Sequence, residues 1–319
     1  MALINFTNLD FDQIKDTLKD YIQSKSEFTD YDFEGSNLST ILDVLAYNTY
    51  ITSYNANMVS NEVFIDSATL RENVVSLARN IGYVPRSKKS SRANINFLVD
   101  VSDVSPTPAN LTLKAGPVAS TGGQFNGQSF IFSIPEDITV SVVDGIAIFE
   151  GIEVFEGSYL GQDYVYSSRN PFQKFILPNN GIDLDSLVVN VRPSTQSSLR
   201  TTYNRHDSLF DKDTGTTING NSNIYFVQEV GSERYELIFG DGVFGKELQD
   251  GNVIEVTYIT TNGSDGNGIN NFTFSGSVSY VRNSVEIFVT SGISLLTSEN
   301  SSSGGESIES IDSIRKYAP

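Results

Sequence analysis

Apolar residues recur at steps of three and four over the first 85 residues, which is the period of an amphipathic helix. Three such stripes follow one another. They comprise Phe11, Ile14, Leu18 and Ile22; then Leu38, Ile41, Leu42 and Leu45, continued by Tyr47, Tyr50, Tyr54 and Met58; and finally Leu70, Val74, Leu77 and Ile81. The pattern therefore predicts three helices within residues 1–85.

Polar and glycine residues at the ends of these stripes predict where the helices begin and end. Ser36 or Asn37 is a candidate N-cap for the second helix, and Asp66 for the third, because short polar side chains accept hydrogen bonds from the first free amides. Gly82 is the expected C′ residue of the third helix, with Pro85 beyond it.

The second predicted helix is unusually rich in Tyr and Asn, and each stripe buries little area by itself. Two interpretations follow: a small helical domain folded against the rest of this chain, or a bundle completed by other subunits. The second is favoured, because Tyr offers a large, rigid and half-polar contact surface. The predicted contact residues are Leu38, Ile41, Leu42, Leu45, Tyr50, Tyr54, Met58, Leu70, Val74 and Leu77.

From residue 93 to residue 296 the period changes from helical to two, and many short apolar runs are separated by Gly, Asn, Asp and Pro. This pattern predicts β modules of the sandwich or barrel kind, as two modules divided between residues 170 and 210. The predicted fold class is thus α+β, with an N-terminal helical segment, β-rich sandwich or barrel-like modules and a short C-terminal helix.

Three short segments connect these parts. Residues 86–92 carry a basic run that includes Arg86, Lys88, Lys89 and Arg92, which we interpret as a connector lying against an acidic surface. Residues 297–306 read as a Gly/Ser linker. Residues 307–319 begin a further helix, since Ile308, Ile311 and Ile314 are spaced by three.

The composition narrows the function. The chain of 319 residues has 21 Lys and Arg against 39 Asp and Glu, a formal charge of −18, which argues against binding to phosphate backbones. The charge predicts either a soluble protein kept from self-association or an acidic face that meets a basic partner. The absence of cysteine excludes disulfides and thiolate sites, and the sequence predicts neither a signal peptide nor a membrane span.

The stretch "FGDGVFGKELQDGNVIEVTY", residues 239–258, is the main candidate for site chemistry. Its Gly-x-Gly-x-x-Gly spacing resembles a dinucleotide fingerprint, but Asp250-Gly251 turns the chain before a helix of useful length could form. The register of a calcium loop is also missing. We interpret Gly240, Gly242, Gly245 and Gly251 as structural turns. The apolar residues predicted to fill the space beneath them are Phe239, Val243, Phe244, Leu248, Val253 and Val256.

Nothing in the sequence singles out a catalytic centre. The single histidine, His206, stands beside Asp207, but no Gly-x-Ser-x-Gly elbow accompanies it. A pair of carboxylates of the glycosidase kind stays open, because 39 acidic residues offer many pairs and sequence does not measure distance. We therefore predict no catalytic residue, no metal and no cofactor, and a protein that is not an enzyme.

Four separated stretches resemble a known family. "ELIFGDGVFGKELQDGNVIEVTYITTNGSDGNG" is similar to the signature of baseplate J-like proteins, in the form of the wedge subunit of T-even-type contractile-tailed phages. The helical region from "FTDYDFEGSNLSTILDVLAYNTY" to "IGYVPRSKKSSRA", then "FILPNNGIDLDSLVVNV" and "GGESIESIDSIRKYAP", resemble further landmarks in the expected order.

This resemblance implies a structural protein of the virion tail baseplate, assembled in the host cytoplasm. Its implied partners are a second copy of itself, a different wedge subunit, and sheath-initiator-like and peptidoglycan-binding-like clamp proteins, with no nucleic acid and no membrane. The wedges would close a ring around the tail hub and transmit the signal for sheath contraction. Family members continue past "RKYAP", so we expect either a fragment or a shorter relative.

Two functions of other classes remain as alternatives. A glycan- or receptor-binding virion protein would also be β-rich, with many Gly, Asn and Tyr residues, and would carry an exposed aromatic cluster. A cell-wall hydrolase would need a paired acid and base. The resemblance favours the baseplate component.

Overall fold

The structure is a computed structural model that describes residues 10–25, 37–121, 123, 125–170, 172–206, 218–298 and 300–318. The chain forms two units: a helical unit of residues 1–83 and 310–319, and a β unit of residues 84–309. The predicted fold class is confirmed, because helices come first, β-sheets follow, and a short helix ends the chain.

The helical unit contains the helices α1 (Phe11–Gln23), α2 (Asn37–Asn61), α3 (Arg71–Asn80) and α4 (Ile311–Tyr317). Asp10 caps α1, since its carboxylate accepts the amides of Asp12 and Gln13 at 3.0 and 3.1 Å. Gly82 follows α3 with φ of +83°, which confirms it as the residue that ends this helix. The proposed cap Ser36 lies outside the described residues.

The predicted start of α3 at Asp66 is wrong. The helix begins five residues later, at Arg71, and Asp66 is exposed. Glu62, at the end of α2, supplies the capping carboxylate instead: it accepts the amides of Thr69 at 2.8 Å and Leu70 at 3.3 Å. A residue nine positions before the helix can act as its cap because the intervening turn brings it back to the helix start.

Helix α4 packs against α3 and forms a small core with it. Val74, Val75 and Ala78 of α3 and Ile314 of α4 are buried in this cluster. The guanidinium group of Arg315 donates hydrogen bonds to the carbonyl groups of Ile65 and Ala68, which fixes α4 on the turn before α3. The end of the chain therefore belongs to the same unit as its beginning.

The β unit contains seventeen strands among the described residues. In chain order they are β1 (Arg92–Asp100), β2 (Asn110–Leu113), β3 (Gly116–Thr121), β4 (Ile131–Ile134), β5 (Ile138–Val143), β6 (Ile146–Glu156), β7 (Ser158–Val165), β8 (Phe175–Ile176), β9 (Ile182–Arg192), β10 (Thr201–Arg205), β11 (Ile224–Val230), β12 (Arg234–Phe239), β13 (Val253–Thr260), β14 (Phe272–Phe274), β15 (Val278–Arg282), β16 (Val285–Val289) and β17 (Ile293–Ser298).

The first sheet has ten of these strands. Eight follow the order β14-β3-β4-β6-β5-β2-β15-β16, and β1 pairs with both β6 and β17. The long β6 accommodates this branching because β1 covers one of its edges, while β5 and β4 pair with opposite ends of the other. Alternate side chains of β1 point inward, and Phe97 stacks on Phe149 with ring centroids 4.6 Å apart in the core.

The second sheet has seven strands in the order β7-β13-β9-β10-β11-β12-β8. Its core is aromatic: Tyr225, Tyr235 and Tyr258 are almost fully buried, and the ring of Phe239 meets Phe175 edge-on at 5.6 Å. All seven strands lie between β6 and β14 in the chain. The second sheet is therefore an insertion into the first, with crossings at residue 157 and after residue 260.

The two crossings meet at residues 156–157 and 261–268, and residues 302–306 are hydrogen-bonded to the second of these segments. We call these three segments together the junction. The carboxylate of Glu156, 1% exposed, accepts hydrogen bonds from the Thr261 hydroxyl at 2.6 Å and from the Asn262 amide nitrogens at 3.0 and 2.8 Å. Gly157 has φ of +135°, and a side chain there would collide with the carbonyl group of Thr260. The two strands that enter and leave the second sheet are thus joined by one buried carboxylate.

The segment predicted as a Gly/Ser linker, residues 297–306, is hydrogen-bonded along the β unit. The side chain of Asn267 pairs with both backbone groups of Gly305, at 2.9 and 3.0 Å. Backbone pairs also join Arg92 to Ser303 and Lys89 to Glu306. The basic connector, residues 86–92, lies beside this segment, where the backbone amide of Arg86 donates to the Glu309 carboxylate at 2.9 Å.

Candidate interaction surfaces

Helix α2 exposes several large apolar side chains, and three of them lie on one line along the helix. Ile41 is 55% exposed, Leu45 46% and Val59 67%. Residues 41, 45, 48, 52, 55 and 59 are spaced by alternating steps of four and three, and each of them is exposed. Such spacing places side chains in a single line along a helix. We call this line, which reads Ile41, Leu45, Asn48, Thr52, Asn55 and Val59, the α2 stripe.

The ten residues predicted as a helical interface fall into three groups. Ile41, Leu45, Tyr54 and Leu70 are exposed, whereas Leu42 and Val74 are fully buried within the unit. The others, Leu38, Tyr50, Met58 and Leu77, are half-buried. Leu42 and Val74 therefore offer no surface to a partner, because the chain's own helices cover them. Whether the exposed members contact another protein stays a prediction.

Several further apolar residues of the same region are exposed but are not in the predicted interface. Val44, Val63 and Phe64 are 63%, 59% and 53% exposed. Val63 and Phe64 follow α2 directly, in the turn that precedes α3. The apolar stripe predicted for α2 mixes two lines of the helix, since it includes the buried Leu42 together with the exposed Ile41 and Leu45.

The glycine-rich segment forms a tight loop after β12, and Gly240, at its start, forms an isolated bridge with Glu247. Gly242, Gly245 and Gly251 have φ between +82° and +88°. Gly240 lies against the backbone of Gly245, where an added Cβ would overlap its carbonyl group. The carboxylate of Asp241 accepts the backbone amides of Phe244 at 2.8 Å and Val243 at 3.0 Å, and these bonds lower its pKa.

The expectation that Val243 and Phe244 fill the space beneath the loop is wrong. They are 63% and 43% exposed, so both side chains face solvent. Of the other four residues predicted to lie beneath the turns, Leu248, Val253 and Val256 are buried and Phe239 is half-buried. The loop is too tight to fold its tip inward, since Gly220 and Gly242 already meet backbone to backbone beneath it.

The acidic residues of the loop serve local structure. Asp250 accepts the backbone amide of Ser168 at 2.8 Å and its hydroxyl at 3.0 Å. Within the described ranges, no three His, Cys, Asp or Glu side chains are grouped to hold a metal ion. His206 donates its backbone amide to Tyr225, and its neighbour Asp207 lies outside the described residues.

A polar cavity of about 420 Å³ lies beside the junction, and two acids, Glu156 and Glu233, are part of its lining. Both oxygens of the Glu156 carboxylate are already engaged within the fold, because Asn262 donates to one and Thr261 and Asn262 donate to the other. The cavity therefore does not supply the free pair of carboxylates that a glycosidase needs.

In the part of the chain that the structure describes, no helix has both the length and the apolar character to cross a bilayer.

Residues 10–83 match the family model described as baseplate wedge protein gp6-like, helical domain. The chain is thus similar to structural components of a viral tail baseplate, and the resemblance to baseplate wedge subunits predicted from the sequence is confirmed.

One protein to which this chain is similar is named baseplate wedge protein gp6, from Enterobacteria phage T4. It is 26% identical over 286 residues, which cover 85% of this chain and 41% of the relative. The similarity therefore extends well beyond the helical unit, and the chain spans about two fifths of the relative's length.

Proposed function

We propose that the chain is a non-catalytic component of a tail baseplate wedge, and that its helical unit binds helices of other wedge proteins and of a second copy of this chain. The observation that carries this proposal is the α2 stripe, whose apolar ends stay exposed in the isolated chain. It lies within residues 10–83, the part that matches the wedge-protein helical domain.

The physical basis is helix pairing. Alternating steps of four and three are the spacing by which one helix packs its side chains between those of another. Ile41 and Leu45 form one apolar end of the stripe and Val59 the other, while Asn48, Thr52 and Asn55 lie between them. Polar residues at such positions fix the register and the number of helices at some cost in stability. The stripe thus favours a specific bundle over general adhesion.

The β unit would serve as the stiff arm of the wedge. Two separate aromatic cores and a buried junction support this role, because closely packed interiors transmit strain. Through this arm the wedges would form the inner baseplate around the tail hub and pass on the signal for sheath contraction. The further partners would be a different wedge subunit and sheath-initiator-like and peptidoglycan-binding-like clamp proteins.

Co-expression of the full chain with the other wedge proteins of its own phage tests this proposal. We expect native mass spectrometry to show a stoichiometric complex with the wild-type chain. The substitution Leu45→Asp should abolish that complex and leave the thermal melt of the isolated chain unchanged, because Leu45 is 46% exposed before assembly.

The matched control is Leu199→Asp, which makes the same change at a leucine of the β unit that is 67% exposed. It should assemble like the wild type. The proposal is overturned if the wild-type chain remains a monomer beside these proteins, or if Leu45→Asp assembles as well as Leu199→Asp does.

A further inference from the structure

The tip of the glycine-rich loop presents two apolar side chains to solvent. Val243 and Phe244 are 63% and 43% exposed, although the β unit contains two apolar cores that could have covered them. A single exposed apolar residue is ordinary on protein surfaces. Two adjacent ones within a tight loop form a compact exposed apolar patch, which we call the Val-Phe tip.

The Val-Phe tip is held in one conformation by its own loop. Asp241 accepts the amides of both tip residues, and Gly242 donates its amide to the carbonyl group of Gly245 at 3.0 Å. The neighbouring segment of residues 219–222 fixes the base of the loop, since the amide of Gly245 bonds to Asn219 at 3.1 Å and that of Lys246 to Ser222 at 2.8 Å.

Glycine contacts add to these bonds. An added Cβ at Gly220 would overlap the carbonyl group of Gly242, and one at Gly245 would lie 2.8 Å from the Ile224 side chain. The backbone of the tip therefore cannot relax toward the cores. A rigid apolar side chain loses little conformational entropy on binding, so the same contact area yields more affinity than it would on a mobile loop.

Charge indicates what kind of surface the tip fits. The Glu247 carboxylate lies beside the tip, because one of its oxygens is 3.6 Å from the Cβ position of Gly242. Over residues 239–251 the acids Asp241, Glu247 and Asp250 outnumber the single base, Lys246. A second copy of this chain would bring an identical acidic rim toward this one, which disfavours pairing between identical tips.

We propose that the Val-Phe tip is an anchor that inserts into an apolar pocket, edged by Lys or Arg side chains, on a different protein. Phe244 supplies the aromatic anchor, and Glu247 pairs with the basic edge of the pocket. This contact is made by the β unit and is separate from the helix pairing of the α2 stripe. The anchor rests on the proposed function in one respect, which is that its partner is sought in assembled phage tails.

Site-specific photo-cross-linking in assembled tails tests the proposal. A phage that lacks its own copy of the gene is complemented with the full chain carrying the photoreactive amino acid p-benzoylphenylalanine in place of Phe244. The control carries it in place of Phe288, which is 53% exposed on β16. We expect position 244 to give one defined adduct with a different protein, at a peptide of apolar residues flanked by Lys or Arg.

Substitutions provide the second measurement. The double change Val243→Ser with Phe244→Ser should lower incorporation into tails by about tenfold or more, as for the loss of a central interface anchor, while Phe288→Ser should not. Glu247→Lys should reduce incorporation most strongly at low salt, where charge pairing is least screened.

The possible outcomes distinguish failure of the anchor from failure of the proposed function. An adduct with a second copy of this chain, the absence of an adduct at position 244, or normal incorporation of the double variant overturns the anchor. Absence of the wild-type chain from tail particles overturns the proposed function instead.

Discussion

Glu62 shows how one side chain joins two helices. Its carboxylate lies at the end of α2 and accepts hydrogen bonds from Asn73, Thr69 and Leu70 at the start of α3. Burial by itself would raise the pKa of Glu62, but these bonds outweigh it and lower the pKa from 4.5 to about 2. The charged form is therefore the one that the fold stabilises.

We predict that Glu62 makes the helical unit sensitive to acid. Because the folded pKa lies below the unfolded one, the stabilisation is complete above pH 4.5 and is lost as the pH falls toward about 2. At neutral pH, Glu62→Gln should cost about 1–2 kcal/mol, as for the loss of a helix cap. Hydrogen exchange of the α3 amides at a series of pH values measures this.

Asp66→Asn is the control, because Asp66 is the cap that the sequence predicts and the structure leaves exposed. It should leave exchange in α3 unchanged at every pH. The assignment fails if Asp66→Asn loosens α3 more than Glu62→Gln, or if the effect of Glu62→Gln persists unchanged down to pH 2.

At the scale of elements, the four predicted turn glycines are not equivalent. Gly251 has φ of +82° with nothing within 4 Å of its Cβ position, so only its backbone conformation requires glycine. At Gly240 a Cβ would run into the backbone of Gly245, which cannot move aside as a flexible side chain could. The sequence places all four in turns but does not distinguish conformational need from close packing.

We therefore predict that Gly251→Ala costs about 1 kcal/mol, the usual penalty for a left-handed alanine, and Gly240→Ala about 3 kcal/mol from overpacking. Urea unfolding monitored by hydrogen exchange in β12 gives both values, since β12 ends directly before the loop. Equal losses for the two variants would show that packing against Gly245 does not matter.

Periodicity predicts the elements of this chain better than their surfaces. The helical steps of three and four indicate α1, α2 and α3, and the C-terminal spacing indicates α4. These steps do not show which line of α2 packs inside the helical unit. Ile41 and Leu42 are adjacent and both apolar, but the fold buries Leu42 and exposes Ile41. In the same way, no period exists in a six-residue glycine loop to show that Val243 and Phe244 point outward.

At the scale of the whole molecule, the feature absent from any local pattern is the insertion of the second sheet. Strands β6 and β14 of the first sheet are separated by more than a hundred residues of chain, and alternation within a strand does not indicate its partner. Part of this insertion is explained by the residues of the stretch that resembles the baseplate J-like signature. Thr261 and Asn262 bind Glu156, and Asn267 binds Gly305, so this stretch holds the crossing points together.

We expect Glu156→Gln to destabilise the whole β unit, although it changes a single charge. The glutamine amide would place donors opposite the donor groups of Thr261 and Asn262, leaving buried polar atoms unpaired at a cost of about 1–3 kcal/mol. Both sheets should be affected, because this residue joins the strands that run between them. Thermal unfolding and limited proteolysis near residues 157 and 261–268 measure the two effects.

Glu153→Gln, three residues earlier on β6, is the matched control. Its side chain is 51% exposed and lies 3.7 Å from Arg92, an exposed ion pair of the kind that contributes little to stability. It should melt like the wild type and resist cleavage at the junction. Faster cleavage in Glu156→Gln at residues 157 and 261–268, with the interiors of both sheets still protected, would indicate that the junction opens before the sheets unfold. Unchanged melting and cleavage would mean that the two cores hold the crossings without this carboxylate, and the stiffness assigned to the arm would then have to come from sheet packing alone.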